Sequence, residues 1–549
     1  MNLTFSSSPR GDPTCQAAGL CLHSRYDPLR EAVRFIQSRL AEAKPSHVIL
    51  LGACLDYLSV SVRERLPNAR IISIQYSSAF EGKMVGRPDA AWFPDSRVGL
   101  GSFLDICLDE DAISGVKVLE WEPASRAFPD EALAARMAVR ASLDRLTSST
   151  ATVKASGKLW ISNACASFLL AEDLVLLRTT NKPVLIAAAG PSLPDSLSAV
   201  AASGADRRGF VLVAVSSALA ACRAAGFEPN LVVSTDGGFW SRLHLYPLAS
   251  RDSARGYARE GAVLAAPLTA LPSASVYSRT KLLALDQGSF AEAELLPALY
   301  SDGGAALKIP PHGTVSGSAL QVASRLSRGS LVVAGLDLAS YGEAEHAKPH
   351  GFDAFLGSDV SRIASLETKL YARRSAASPI ELQQKPWRSS RALLAYASAL
   401  EEDARSFAGR LFRIGPEIVR LAGFRAIGEQ DFCTMAERPS STIGSNEESL
   451  FDEARIASYS VRERHLADRI SAWKELASKA AASMAEGRLP GSDSEGGALV
   501  SELLRSIDIV DYAAARRACL SLGDPRKSAE DLARRVGLFL DDLERRFAS

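Results

Sequence analysis

Three stretches of this chain set glycines, small hydroxyl residues or a carboxylate directly behind an apolar run, a pattern suited to holding a phosphorylated ligand. The first is V-L-I-A-A-A-G-P-S-L, Val184 to Leu193. Gly190 lets the backbone turn without a Cβ, Pro191 stiffens the turn, and Ser192 is placed to cap the next helix with Asp195 three residues on. The N–H groups at such a helix start make an anion site, although a capped turn with no ligand uses the same residues. The second stretch, L-V-V-S-T-D-G-G from Leu231 to Gly238, carries Thr235 and Asp236. That carboxylate suits a ribose hydroxyl, a metal or a substrate amine, and equally a plain turn. The third runs from His312 to Ala347, where Gly313, Thr314, Ser316 and Ser318 open a helix as a second candidate anion nest. Asp337 follows the next apolar run, and Ser216, beside Ser217, ends another.

His346 lies nine residues beyond Asp337 in a polar stretch. Imidazole titrates near neutral pH, so a histidine beside a carboxylate and two anion nests is a candidate general base or acid. His350 and His312 remain open as alternatives for the same part. The chain lacks a P-loop, an H-E-x-x-H, a G-x-S-x-G elbow and a D-x-D pair. No acid-rich two-metal site is visible, so no metal ligand is assigned and metal-free chemistry is expected.

These residues need strand ends to hold them. Apolar runs near 184–189, 210–215, 230–234, 262–266, 281–285 and 330–335 alternate with Ala-rich helical segments near 193–203, 217–225, 291–299 and 315–327. Such alternation predicts a parallel sheet, with the functional residues at its carboxyl edge. Upstream, strands over 47–52, 69–76 and 116–120 with a helix over 55–66 predict a smaller Rossmann-like unit. Gly52 there supplies one glycine where a dinucleotide fingerprint needs three. Residues 1–26 read as a loose arm, 129–148 as a long helix followed by a Ser/Thr/Lys connector, 338–385 as a lid-like loop and 438–449 as a linker. The expected fold class is α/β: an N-terminal αβ domain (1–155), a central Rossmann-like domain (156–435) and an α-helical C-terminal domain of three to five helices (436–549).

Bulk properties bound the function. At 549 residues, 47% of them hydrophobic and 23% charged, the chain is an ordinary globular protein of several domains. Lys+Arg and Asp+Glu both number 63, so no global field attracts nucleic acid. The eight cysteines form no C-x-x-C pair. No apolar stretch is long enough for a membrane span and no secretory h-region appears, so a soluble, cytoplasmic, thiol-reduced protein is expected.

The ordered set W-I-S-N (Trp160 to Asn163), A-G-P-S-L, G-F-E-P-N-L-V-V-S-T-D and G-T-V…G-L-D-L-A…H-A resembles the motility-associated factor (Maf) family of bacterial flagellin glycosyltransferases, over roughly residues 45–430. The resemblance implies a central domain similar to bacterial sialyltransferases. It also implies transfer of a nonulosonic sugar, of pseudaminic or legionaminic type, from a CMP-activated donor to Ser or Thr hydroxyls of flagellin, in support of flagellar assembly and motility. Flagellin and the CMP-sugar would be the partners, with no other cofactor required. Carried over, Gly190, Pro191 and Ser192 would face the nucleotide phosphate, Asp236 and the Thr314–Ser318 loop would complete the pocket, and His346 would be the base or acid. Two positions depart from the pattern: Gln75 replaces an acidic residue, and His312-Gly313 replaces a glycine pair. The central stretch also resembles the archaeal-type hydroxymethylpterin pyrophosphokinases, although Thr235-Asp236-Gly237-Gly238 lacks their second carboxylate. A non-catalytic flagellin-binding factor, docking its partner through the helical C-terminus, is the remaining alternative.

Overall fold

Aliphatic runs closed by glycine or a small hydroxyl residue form parallel strands throughout the computed structural model. It describes residues 3–17, 19–108, 115–249, 263–271, 273–358, 360–369, 380–407, 409–437, 449–489, 495–520 and 525–547. The chain divides into two compact units, Met1–Gly157 with Lys474–Phe539, and Lys158–Trp473 with Leu540–Ser549. Among the described residues the helices after residue 458 are Tyr459–Ala485, Glu495–Leu520 and Arg526–Phe547; the second belongs to the first unit, and the other two each contribute residues to both. Among the described residues no helix is long and apolar enough to cross a membrane.

In the first unit, four parallel strands lie in the order Ala90–Trp92, Arg70–Ile74, His47–Leu51, Val116–Glu120. Gly52 ends the His47–Leu51 strand with a positive φ of 66°, and a Cβ there would collide with the Tyr76 ring. Gln75, fully buried, accepts the Cys54 N–H at 3.0 Å and donates to Ser73 Oγ at 3.1 Å. A tyrosine ring and a glutamine amide thus fill the strand ends of this sheet, so Gly52 serves the scaffold turn.

Residues 3–21 are not a loose arm. They form a three-stranded antiparallel sheet, Leu3–Ser7, Pro13–Ala17 and Leu20–Cys21. Within this polar segment Thr14, Cys15 and Ala17 are buried, as is Leu22 just after the third strand. Trp121 Nε1 donates to Leu22 O at 2.7 Å, and His23 Nε2 accepts the Leu55 N–H at 3.2 Å. The Ser/Thr/Lys connector after residue 148 is also helical, because Pro129–Leu170 is one helix of 42 residues. Thr147 and Thr152 hydroxyls satisfy themselves on carbonyls one turn back, so these residues are accommodated within the helix.

The second unit holds an eleven-stranded sheet among the described residues. From Val184–Ala187 the chain steps outward through Val211–Val215, Leu231–Val233, Val263–Pro267 and Leu282–Asp286, each parallel to the last. It then returns through helix Val315–Leu326 and lays Leu331–Ala334 on the opposite side of Val184–Ala187, with Leu331 opposite Val184 and Ala334 opposite Ala187. The direction of travel reverses between these two strands, which makes a topological switch point. Their residues are buried on both faces, as a sheet covered by helices on both sides requires. Phe451–Ala454 pairs antiparallel with Leu174–Leu177 at the far edge, so the segment after the expected linker begins with a strand before turning helical. Linker residues 438–448 and lid residues 359 and 370–379 lie outside the described residues. The described part of the lid carries the small antiparallel pairing of Ser340–Tyr341 with Trp387–Ser389.

His23 supplies a pH test of the first unit. Its Nε2 can accept the Leu55 N–H only when unprotonated, and burial pushes its pKa down to about 4 from 6.5. The unfolded chain therefore binds a proton that the fold excludes between pH 6.5 and 4. Stability should be full above that window and fall by up to about 3 kcal/mol as pH drops through it. Urea unfolding monitored by Trp121 fluorescence at pH 7 and pH 4.5 should show the loss, and His23→Gln should reduce it.

Candidate active site

A cavity of about 460 Å³ opens at the switch point, lined on one side by Ala188–Gly190 and on the other by Gly335–Ser340. That volume falls in the range of small-ligand pockets. The two strand ends meet through backbone: Gly190 N–H donates to Gly335 O at 2.8 Å, and Ala188 N–H to Ala334 O at 2.9 Å. A Cβ on Gly190 would overlap Asp337 Oδ2 and Gly335 O. Gly335 has φ 69°, and its Cβ would meet Leu193 at 2.7 Å. Both glycines are therefore demanded by close approach.

Asp337 is buried and takes Ser192 N–H at 2.8 Å on one oxygen and Ser192 Oγ–H at 2.6 Å on the other. Burial raises its pKa, and the two Ser192 bonds oppose that shift. The expected capping role of Ser192 is corrected here: its side chain makes no cap bond to the helix Leu193–Ala202 and serves the carboxylate. The anion site at this helix start holds the protein's own carboxylate, at an amide that would otherwise face a phosphate. Pro191, half-buried, stands outside the cavity lining.

The second anion nest is differently placed. Gly313, Thr314, Val315 and Ser316 line the cavity. Thr314 caps helix Val315–Leu326 by accepting the Gly317 N–H at 3.0 Å. The first-turn amides of an α-helix have no partner within the helix, and its dipole favours an anion there. Gly313 lies against the Tyr396 ring, where a Cβ would come within 2.7 Å. Ser318 is fully buried beneath this turn, 3.4 Å from Gln287 Nε2, and faces away from the cavity.

A third wall was not foreseen from the sequence. Arg388, Ser389, Ser390, Leu393 and Tyr396 line the cavity from the strand Trp387–Ser389 and the helix Arg391–Ser406. Ser390 caps that helix through the Leu393 N–H at 3.2 Å, and Ser389 Oγ holds Leu338 O at 2.8 Å. Arg388 contributes a guanidinium, paired at 3.5 Å with exposed Glu381. The available signal was W-R-S-S-R ahead of an amphipathic run, a serine cap next to a cation and an aromatic.

Three histidines were candidates for the base, and the structure separates them. His346 lines the cavity beside Glu345. His350 is buried behind it, with the two rings stacked at 4.6 Å and 8°. Burial pushes His350 down to about 3, assisted by His346 and His244, so it is neutral at physiological pH. His312 does not line the cavity, and its Nε2 sits 3.4 Å from Asp403 Oδ2 on the helix Arg391–Ser406. Burial lowers its pKa while Asp403 raises it.

Asp236 and Thr235 stand at the end of Leu231–Val233 and are not among the cavity residues. Asp236 is exposed, and its Oδ1 accepts the Gly238 N–H at 2.7 Å, which is the work of a turn-forming aspartate. Ser216 is buried, while its neighbour Ser217 reaches the cavity. The W-I-S-N segment clamps the Asp236 turn: Asn163 Nδ2 donates to Gly237 O at 2.9 Å and to Thr269 O at 3.1 Å, and the Trp160 ring packs on Gly237. Among the described residues no group of three His, Cys, Asp or Glu side chains is arranged to hold a metal ion.

Residues 165–343 match the protein family described as 6-hydroxymethylpterin diphosphokinase MptE-like. A curated protein of Treponema pallidum (strain Nichols), described as an uncharacterized protein, is 28% identical over 251 residues, 46% of this chain and 52% of its own length. The chain thus spans about half the length of that relative. The solved structure of the MAf glycosyltransferase from Magnetospirillum magneticum AMB-1 superimposes with a TM-score of 0.57 at 13% identity, covering 99% of this chain and 91% of the other. The two chains share a fold. Both resemblances read from the sequence, to the Maf glycosyltransferases and to the hydroxymethylpterin kinase-like proteins, are thereby met.

The glycine contacts give a stability test. Gly190→Ala should cost about 1–3 kcal/mol or more through overpacking. Asp337→Asn, which sets an amide donor against one of the two Ser192 donors, should cost about 1–3 kcal/mol. Urea midpoints at constant m-value measure both, and wild-type stability in Gly190→Ala would contradict the contact.

Proposed function

We propose that this chain is a glycosyltransferase that moves a nonulosonic sugar of pseudaminic or legionaminic type from a CMP-activated donor to Ser or Thr hydroxyls of flagellin. The observation that carries the reading is the switch-point cavity, with a capped helix start and Arg388 on its walls and His346 at its edge. The full-length likeness to a glycosyltransferase fold supports it.

In this reading the donor's phosphate lies at the amides of Val315 and Ser316, near Thr314 and Arg388. Asp337 and Ser192 hold the Gly190 turn rigid so that the ligand meets a preorganised surface. His346 takes the proton of the acceptor hydroxyl as its oxygen bonds to the anomeric carbon. The bond from that carbon to the phosphate oxygen breaks, and CMP leaves with the electron pair. Helix amides and one guanidinium stabilise the charge that develops on the phosphate, so the reading calls for no further cofactor. His350, uncharged at neutral pH, stacks on the His346 ring and fixes its orientation. We place the reaction in the cytoplasm.

The match of residues 165–343 favours a second reading, diphosphoryl transfer to a pterin. Against it, the Thr235–Gly238 turn offers one carboxylate, and Asp236 is engaged by Gly238.

Purified protein incubated with a CMP-nonulosonate and flagellin should add regular mass steps to flagellin and release CMP. His346→Gln should lower the transfer rate about 10²–10⁴-fold with donor affinity retained. Arg388→Ala should weaken donor affinity about tenfold through one lost charge-assisted contact. AMP release from ATP and hydroxymethylpterin, with flagellin mass unchanged, would overturn the proposal in favour of the second reading.

A further inference from the structure

The cavity wall at 388–396 changes along its length from polar to apolar. Its polar end holds Arg388, Ser389 and Ser390, and Arg388 stands opposite Ser340 in the antiparallel pairing. Leu393 and Tyr396, three residues apart on the helix Arg391–Ser406, share one face and both line the cavity. Beyond them Ala397 and Leu400 are buried in the core, so Tyr396 is where this wall ends. It lies six residues past Ser390, about 9 Å along the axis at the helical rise. The half-buried Tyr396 ring rests against Gly313, where a Cβ would come within 2.7 Å of it. Gly313 immediately precedes the Thr314 cap and the amides of Val315 and Ser316. The ring therefore stands beside the anion-favouring helix start, at the end of the wall away from the Ser340 pairing. Apart from His346, it is the only ring among the described residues that line the cavity.

We infer that Tyr396 is the platform on which the donor's nucleobase stacks, with Leu393 beside it. The identity of that base as cytosine rests on the transferase reading of the cavity. A phosphate at the Val315 and Ser316 amides has two unlike surfaces to either side. Toward Arg388 and Ser340 the lining is polar and suits the hydroxyl-rich sugar that is transferred. Toward Tyr396 it is a leucine and a tyrosine ring, which give a sugar few hydrogen-bond partners and a planar base a surface to stack on. Every base has a π-face, so the ring selects a nucleotide over a bare phosphate and tolerates different bases.

Calorimetric titration with CMP and with inorganic phosphate, on wild type and on Tyr396→Ala, Tyr396→Leu and Tyr396→Phe, tests this. The Ala and Leu variants should raise the CMP Kd about tenfold or more while the phosphate Kd stays at its wild-type value. Tyr396→Leu keeps bulk against Gly313 and should retain the wild-type unfolding temperature, so its loss of affinity reads the ring itself. Tyr396→Phe should bind CMP nearly as wild type does. In the transfer assay Tyr396→Leu should raise the donor KM with kcat retained. Wild-type CMP affinity in the Ala and Leu variants would overturn the inference. Equal losses of CMP and phosphate affinity would also overturn it, because they mark a ring that only props the Gly313 loop. A wild-type protein that binds AMP or ATP but not CMP, with that binding weakened in Tyr396→Leu, would sink the transferase reading and keep the platform. A wild-type protein that transfers the sugar but binds CMP no better than phosphate would overturn the platform alone.

Discussion

The ligand-facing edge of the second unit depends on how closely two strand ends approach each other. Val184–Ala187 and Leu331–Ala334 are neighbours in space but lie on opposite sides of the reversal in chain direction. Their helices therefore diverge and leave a crevice between them. For the crevice to have a floor, the backbone at 188–190 and 335–337 must nearly touch. Gly190 and Gly335 meet that condition by lacking a Cβ, and the Gly190 N–H to Gly335 O bond closes the contact. Asp337 then locks the turn by accepting both Ser192 donors. The sheet, the helix Leu193–Ala202 and the cavity floor all take their positions from this crossing.

Charge around the cavity follows from the same arrangement. One carboxylate is spent on the floor, which leaves the capped start of helix Val315–Leu326 and Arg388 as the features that favour an anion. His346 and Glu345 also line the cavity, and His346 is backed by His350, a ring that burial keeps uncharged. In the proposed transferase reading, the helix start and Arg388 would take the leaving phosphate and His346 the hydroxyl proton. His312 stands outside the cavity, its Nε2 3.4 Å from Asp403 Oδ2 on the helix that carries Tyr396.

The strand ends were legible because buried parallel strands are continuous aliphatic runs, and Val184–Ala187, Val211–Val215 and Leu331–Ala334 sit where those runs predict. Gly190, Gly313, Thr314, Ser316, Asp337 and His346 come together at one cavity because strand ends share one edge of the sheet. What the pattern does not encode is which side chain at a strand end turns inward. Ser217 faces the cavity where Ser216 does not, and Asp236 curls back onto Gly238. The wall at 388–396 was hidden because a short strand pairing with Ser340–Tyr341 brings it in from about fifty residues downstream, and no local motif records such a pairing. The small N-terminal sheet has no apolar periodicity to reveal it: its Ser- and Gly-rich composition imitates a coil, and only the middle strand buries Thr14, Cys15 and Ala17.

The central claim is that the nucleotide donor binds between the ends of Val184–Ala187 and Leu331–Ala334. A crystal structure of the protein with CMP tests it most directly. The account predicts the phosphate within hydrogen-bond distance of the Val315 and Ser316 amides, close to Arg388, with His346 facing the position of the departing sugar. CMP bound at the Asp236 turn, at the strand ends of the first unit, or with its phosphate remote from Thr314 would contradict it.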